Sequence, residues 1–182
     1  MGATGFALFD TALGHCALAW GPHGLTGVQL PEADAAATRA RMVQRFPALD
    51  EAEPDATAEK AIAAIQRLLA GDPDDLGDIA LDMRGVSAFH QRVYALVRRI
   101  PPGQTRTYGE VAEALGDKGF ARAVGQAMGL NPFAPVVPCH RVLAAGNKPG
   151  GFSAGGGALT KLRMLAIEGA RPNGMGALFD PY

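Results

Sequence analysis

The chain has 182 residues, of which 48% are hydrophobic and 19% are charged, and its formal net charge is −1. This length suits one domain or two small ones, and this composition can supply a hydrophobic core. The start lacks the basic and apolar segments of a signal peptide, and no apolar run approaches the roughly 20 residues of a membrane helix. We therefore expect a cytoplasmic protein with no membrane partner. Two cysteines cannot form a disulfide framework.

Charge is distributed unevenly along the chain. Residues 1–83 contain 5 Lys and Arg against 13 Asp and Glu, a net charge of −8, whereas residues 84–171 contain 12 against 4, a net charge of +8. A basic half is what binding to a polyanion such as DNA requires, because Lys and Arg displace counterions from phosphates. Two oppositely charged surfaces that attract each other would give the same pattern, so charge alone leaves both interpretations open.

The first half has the pattern of a small α/β unit. Short apolar runs separated by LGH and GPHG predict a strand meander in the first 30 residues. EADAAATRARMVQRF and TAEKAIAAIQRLLAG have helical periodicity, with an acidic, proline-containing loop between them. GDPDDLGDIALDM predicts one more short strand. We therefore expect a small antiparallel sheet with helices over residues 1–83.

The second half, residues 84–171, is predicted to be mainly helical. SAFHQRVYALVRRI begins with Ser87 as a helix N-cap. TYGEVAEALG has a capping box formed by Thr107 and Glu110, and GFARAVGQAMGLN predicts a second short helix after a turn that contains glycine. This spacing is typical of a helix-turn-helix, although an ordinary corner between two helices has the same pattern.

Two irregular segments follow, and then a last helix. Three prolines in PFAPVVP exclude a helix, so we expect an extended connection into Cys139. The glycine-rich AAGNKPGGFSAGGG predicts either a flexible linker or a loop that folds over a ligand. ALTKLRMLAIEG predicts a final helix with Gly169 at its C-terminal end, followed by a tail over residues 172–182.

The chemistry of Cys139, in VVPCHRV, has several candidate explanations. No metal is expected, because structural zinc needs four closely spaced ligands and the two cysteines are 123 residues apart. A redox disulfide would need Cys16, which we expect to be buried in a strand. A buried structural thiol remains possible in principle, but the adjacent His140 and Arg141 favour a nucleophile. Only the thiolate attacks, and a histidine base oriented by a carboxylate such as Glu168 would generate it.

Several further motifs occur in a fixed order around this cysteine. They are FHQRVYALVRRIPPGQTRTYGEVAEALG, ARAVGQAMGLNP, VPCHRV, GGFS and KLRMLAIEG, and they span residues 85–169. In this combination the chain resembles the O6-alkylguanine-DNA alkyltransferases, the methylated-DNA–protein-cysteine methyltransferases. The resemblance implies a ribonuclease-H-like α/β domain over residues 1–83. It also implies a helical DNA-binding and alkyl-acceptor domain with a helix-turn-helix over residues 84–171.

The resemblance also implies the reaction. A monomer without metal or other cofactor would flip O6-alkylguanine out of double-stranded DNA and move the alkyl group irreversibly to Cys139. O4-alkylthymine stays open as a second substrate. His140 would take the thiol proton through a bridging water, and Glu168 would hold His140. Asn131 would support the turn before the cysteine, and Tyr108 would donate a hydrogen bond or proton to the departing guanine.

A second set of residues would contact the base or the DNA. Arg122 would enter the base stack in place of the flipped nucleotide, from a helix whose small residues approach the minor groove closely. Ser153 would contact O6, and the carbonyl of Val142 would hold the exocyclic amine. Phe152 stands where many relatives have tyrosine. The full set is Ala121, Arg122, Ala123, Gly125, Ala127, Arg141, Val142, Phe152 and Ser153.

Three other classes of protein remain to be separated from this one. Alkyltransferase-like proteins bind damaged DNA but replace the cysteine, so Cys139 argues against them. Regulators that sense alkylation carry an additional metal-binding domain, for which this chain has no room. A Cys-His-Glu hydrolase would need turnover and an oxyanion hole. Within the alkyltransferase interpretation, Ala134, Pro135 and Phe152 are the positions expected to set the accepted alkyl size.

Overall fold

A computed structural model describes residues 4–74, 76–147 and 157–170 of the chain. The strands are β1 (Gly5–Thr11), β2 (Gly14–Gly21), β3 (Gly24–Gln29), β4 (Arg106–Thr107) and β5 (Val142–Leu143). The helices are α1 (Ala35–Arg45), α2 (Ala56–Leu69), α3 (Ala88–Val97), α4 (Tyr108–Ala114), α5 (Ala121–Gly129) and α6 (Gly157–Ile167). Within these described ranges, no helix combines the length and apolar character that crossing a membrane would demand.

The predicted meander is confirmed as a three-stranded antiparallel sheet in the order β1–β2–β3. The turn between β2 and β3 depends on Gly24. Its φ is +119°, and a Cβ there would lie 2.6 Å from the carbonyl oxygen of Ala80. A larger residue would therefore be strained and would collide with the backbone that packs beside the turn.

Both faces of this sheet are buried. Side chains of a strand alternate between its faces, and on β2 the residues Leu18 and Trp20 join the main core, which α2 covers. Ala17 and Ala19 join a separate cluster with Met42 of α1. The sheet thus lies between the two helices that the sequence predicted.

The main core continues into the second half of the chain. It includes buried side chains of α2, α3, α4 and α5 together with those of the sheet. The amide of Val28 in β3 also donates to the carbonyl oxygen of Pro132 at 2.8 Å. The boundary predicted after residue 83 is therefore not marked by a break in the hydrophobic core.

Three local features differ from the sequence-based expectations. The short strand expected in GDPDDLGDIALDM is a single bridge between Leu25 and Leu81, because Asp and Gly, which are poor strand formers, surround it. The connection expected to be extended folds into turns, with the amide of Val136 donating to the carbonyl of Phe133 at 2.7 Å. Proline excludes a helix there but is compatible with turns. Finally, β4 and β5 form a two-residue parallel ladder that the sequence did not indicate.

Helix α5 is tied to α3 by a buried hydrogen bond. The Tyr94 hydroxyl donates to the carbonyl oxygen of Ala127 at 2.8 Å, and Tyr94 is 1% exposed. Burial raises the pKa of Tyr94 to about 12, with a smaller contribution from Cys139, so the phenol keeps its proton.

We expect Tyr94→Phe to lower the free energy of unfolding by about 1–2 kcal/mol, because it leaves the Ala127 carbonyl buried without its donor. Urea denaturation followed by circular dichroism measures this loss. Arg92→Gln, an exposed change on the same helix, should alter it by less than about 0.5 kcal/mol. Equal changes in the free energy of unfolding in the two variants would contradict a stabilising role for the hydrogen bond from Tyr94 to Ala127.

Candidate active site

Cys139 lies in a single helical turn, Cys139–Arg141, which follows the proline-rich turns and leads directly into β5. The thiol residue is 4% exposed, and Val136, Val137 and Val142 around it are 0% exposed. The valines that could have indicated a purely structural cysteine therefore form the wall of its site.

The β4–β5 ladder brings Tyr108 to this site. Arg106 pairs with Val142 and Thr107 with Leu143, so α4 starts directly beside the segment that follows the cysteine. The predicted capping box is present. The amide of Glu110 donates to the Thr107 hydroxyl at 3.0 Å, and the Thr107 amide donates to the Glu110 carboxylate at 3.0 Å. Burial, with a smaller contribution from Cys139, raises the pKa of Tyr108, which keeps its phenol proton for donation.

His140 and Glu168 meet, although 28 residues separate them. Nε2 of His140 lies 2.6 Å from Oε1 of Glu168, and both side chains are nearly inaccessible. A carboxylate acceptor assigns the ring proton to Nε2. Nδ1, which is buried and has no hydrogen-bond partner among the described residues, then carries the lone pair. Burial lowers the pKa of His140 despite Glu168, so the ring is a neutral base.

Arg141 occupies a different place from the one expected. It was expected among the DNA contacts, but it is 1% exposed. Its Nε and Nη2 donate to the Glu168 carboxylate at 2.9 and 2.7 Å, and its Nη1 donates to the Ile100 carbonyl at 2.7 Å. Arg141 is thus buried in the site. It holds the Glu168 carboxylate, which in turn contacts His140.

Glu168 is charged at neutral pH in spite of its burial. Burial raises the pKa of this carboxyl, but hydrogen bonds from His140 and Arg141 and the positive charge of Arg141 outweigh it and bring the pKa to about 2. A hydrogen-bonded cation and a polarised imidazole thus hold one buried negative charge.

The thiol of Cys139 is protonated at rest. Burial raises its pKa, while a hydrogen bond from Asn131 and the charge of Lys161 act in the opposite direction with smaller effect. A thiol of this kind needs a base at the moment of reaction, and His140, the next residue in the chain, has a neutral ring.

Asn131 holds the turn that precedes the cysteine. Its Nδ2 donates to the Val137 carbonyl at 2.8 Å, and its Oδ1 accepts from the Phe133 amide at 3.0 Å. One amide side chain thereby closes the chain between the end of α5 and Cys139. This is the position that the sequence analysis expected for it.

Lys161 belongs to the site but was missed by the sequence analysis. It is 1% exposed, its Nζ donates to the Val142 carbonyl at 2.7 Å, and Nζ lies 5.7 Å from the centre of the Tyr108 ring. Burial lowers its pKa to about 8, against the opposing effect of Cys139. The only sequence signal was a lysine one turn into an otherwise apolar helix face.

The outer face of α5 carries Arg122. Arg122 is exposed, Ala121, Ala123 and Gly125 are half-buried, and a Cβ at Gly125 would meet nothing within 4 Å. Ala127, expected on the same face, is 0% exposed and belongs to the main hydrophobic core. The face that is free to approach a ligand is therefore shorter than expected.

Two expected contacts, Phe152 and Ser153, lie outside the described residues. Within the described ranges, no group of three or more His, Cys, Asp or Glu side chains could hold a metal ion. Cys16 is 0% exposed in β2, and burial raises its pKa to about 12, with weak opposition from the Thr11 hydroxyl. Its thiol is therefore protonated at neutral pH.

A buried cysteine, a neutral histidine beside it and a carboxylate that orients the histidine define a protein that uses cysteine as a nucleophile. The family model described as 6-O-methylguanine DNA methyltransferase, DNA binding domain, matches residues 88–170. The chain belongs to the family of methylated-DNA–protein-cysteine methyltransferases.

Individual relatives are similar to this chain over about two thirds of its length or more. A methylated-DNA–protein-cysteine methyltransferase of Mycolicibacterium paratuberculosis is 46% identical over 120 residues, which are 66% of this chain and 70% of the relative. One of Methanothermobacter thermautotrophicus is 33% identical over 85% of this chain and 80% of its own length. The crystal structure of Mycobacterium tuberculosis OGT in complex with DNA superimposes with a TM-score of 0.73 at 34% identity, covering 96% of this chain and 99% of the other.

Glu168 provides a test of the buried network. We expect Glu168→Gln to lower the free energy of unfolding by about 3–5 kcal/mol at pH 7, because Arg141 keeps a buried charge without its partner. In the unsubstituted protein, the folded-state pKa of about 2 lies below the ordinary value of 4.5, so this contribution is present above pH 4.5 and is lost as the pH falls toward 2.

Denaturation series between pH 7 and pH 2 measure both effects. Glu168→Gln should lower the free energy of unfolding at pH 7. It should also reduce the loss of that free energy as the pH falls. The control is Glu113→Gln, an exposed carboxylate 4.0 Å from Lys118, which should leave both nearly unchanged. If the free energy of unfolding of Glu168→Gln depended on pH as in the unsubstituted protein, Glu168 would not be the buried charge that causes this dependence.

Proposed function

We propose that this protein repairs O6-alkylguanine in double-stranded DNA by transferring the alkyl group to Cys139. The observation that carries the proposal is the buried arrangement of Cys139, His140 and Glu168 in a chain of this family. The relative from Mycolicibacterium paratuberculosis is named for transfer to a protein cysteine, and the Mycobacterium tuberculosis protein was crystallised with DNA.

The proposed transfer is a displacement at the alkyl carbon. Nδ1 of His140 accepts the thiol proton, directly or through a water molecule, and Sγ of Cys139 attacks the carbon. The bond between carbon and O6 breaks, its electron pair goes to the guanine, and the phenol of Tyr108 supplies a proton to the base. The product is a thioether. A thioether is stable and another thiol does not cleave it, so the protein acts once.

Lys161 is proposed to support this transfer by holding neighbouring groups in place. It bonds to the Val142 carbonyl and lies over the Tyr108 ring, so it fixes two groups that would face the base. Its positive charge opposes the effect of burial on the pKa of Cys139. It therefore favours the thiolate as the proton leaves.

DNA recognition is assigned to α4 and α5 as a helix-turn-helix within a DNA-binding domain over residues 84–171, with residues 1–83 as a separate α/β domain. A base inside a duplex is inaccessible to a buried thiol, so the nucleotide must be flipped out, at a cost of a few kcal/mol. Arg122, exposed on α5, is proposed to fill the vacated stack from the minor groove. The half-buried small residues beside it permit a close approach.

Incubation with a duplex that contains O6-methylguanine tests the transfer. We expect a stoichiometric mass gain of one methyl in place of one hydrogen, located at Cys139 by peptide mapping. Cys139→Ala should bind the duplex and stay unmodified. Cys16→Ala, the matched control, should react like the unsubstituted protein. Absence of the mass gain in the unsubstituted protein would refute the proposed function.

Arg122→Ala tests base flipping separately from chemistry. Single-turnover transfer from duplex O6-methylguanine should slow by at least tenfold, an effect of about 1.4 kcal/mol or more. Transfer from free O6-benzylguanine, which needs no flipping, should change by less than about twofold. Arg67→Ala, an exposed arginine of α2, controls for the loss of charge. Equal losses with both substrates would contradict the role given to Arg122.

A further inference from the structure

A cavity of about 250 Å³ opens beside the reactive cysteine. Cys139 and Ala134 line one side, and residues of the first half of the chain line the other, among them Gln29 of β3 and Arg41 and Arg45 of α1. Part of the cavity wall is therefore supplied by elements far from the cysteine motif.

Among the described residues, the hydrogen-bond partners of both arginines in this cavity are neutral. Arg45 donates to the Val28 carbonyl at 2.8 Å, to Oε1 of Gln29 at 3.0 Å and to the Pro132 carbonyl at 3.3 Å. Arg41 donates to Oε1 of Gln44 at 2.9 Å.

Like charges are close together here. Arg41 and Arg45 both line the cavity. Burial lowers the pKa of Arg45, and the positive charge of Arg41 lowers it further. No carboxylate belongs to the described lining. Glu32, which accepts from Nε2 of Gln29 at 3.3 Å, lies outside the lining.

This lack of a partner is unusual for the first half of the chain, which has an excess of acidic residues. Arg39 of the same helix pairs with Glu51 at 3.0 Å, and Arg67 pairs with Asp74 at 3.4 Å. Two adjacent cations without a described counter-charge, at the mouth of a cavity that reaches a nucleophile, form a site suited to an anion.

The geometry of displacement decides what enters the cavity. The attacked carbon must lie between Sγ and O6, so every further atom of the substituent must extend sideways into space that Cys139 also lines. Ala134 borders this space with only a methyl group. The substituent, rather than the guanine ring, is thus the part that faces α1.

We propose that this cavity receives the O6 substituent, and that Arg41 and Arg45 make the site selective for O6-alkyl groups that carry a carboxylate, such as carboxymethyl. The inference rests on the proposed function and specifies its substrate class. The bond from Sγ to the methylene carbon forms as the bond from that carbon to O6 breaks. The thiol proton goes to His140, the guanine takes a proton from Tyr108, and the carboxylate is unchanged in S-carboxymethylcysteine.

The test compares duplexes with O6-carboxymethylguanine and O6-propylguanine, whose substituents have similar size but different charge. Rates of single-turnover transfer are measured by intact mass. In Arg41→Gln, the ratio of the carboxymethyl rate to the propyl rate should fall about fivefold or more, equivalent to about 1 kcal/mol. Arg39→Gln, which removes the same charge from the same helix outside the cavity, should leave the ratio unchanged. Arg45 is unsuitable, because its hydrogen bonds hold backbone.

A second arm separates a carboxylate on the substituent from a DNA phosphate as the anion. Free O6-benzylguanine and its para-carboxylate contain no phosphate, and the same Arg41→Gln substitution should lower the ratio of their rates in the same direction. If Arg41→Gln slows all duplex substrates equally and leaves the free-base ratio unchanged, the arginines bind phosphate and the inference is overturned. Normal transfer from O6-methylguanine with an unchanged carboxymethyl ratio would overturn it while leaving the proposed function intact.

Discussion

The buried charge of Glu168 is the constraint on which the site depends. A carboxylate removed from water is unfavourable unless cations and donors surround it. Here Arg141 and His140 do so, and Arg141 also binds the carbonyl of Ile100 just beyond α3. The same contacts join the end of α3, the cysteine turn and the end of α6. Removing one member of this buried network therefore disturbs the contacts among these three elements as well as the His140 side chain.

This arrangement also explains why the histidine can act. Glu168 occupies Nε2, which leaves Nδ1 of His140 as the basic nitrogen, and burial keeps the ring neutral. The thiol is protonated at rest for the same reason, because the valine wall excludes water from it. A hydrophobic enclosure thus keeps both side chains uncharged, which is the starting state of the proposed proton transfer from sulfur to nitrogen.

Sequence reasoning selected Cys139, His140 and Glu168 because the expected chemistry requires those residue types, and the structure places His140 in contact with Glu168. It placed Arg141 on the outside, since adjacency to a catalytic residue says nothing about which way a side chain points. It missed Lys161, because one lysine among many in a basic half carries no sign of burial. The helices and the meander followed from periodicity and caps, whereas the two-residue β4–β5 ladder is too short to leave a pattern.

The first half of the chain contributes more to the site than its sequence indicated. The halves are connected by a shared apolar core, by the bond from Val28 to Pro132 and by the cavity walls of α1. Arg98 of the second half also donates to the carbonyls of Leu76 and Ile79 at 3.0 Å. None of these contacts is visible in a local pattern.

The separation between Cys139 and Glu168 has a consequence for the unfolded chain. The carboxylate that contacts His140 lies 29 residues beyond the cysteine, and the β4–β5 ladder forms only when Arg106 and Thr107 pair with Val142 and Leu143. In an unfolded chain the thiol is an ordinary solvated cysteine without a histidine held beside a carboxylate. Because the contacts that activate it are distant in sequence, the ability to react appears only with the completed fold.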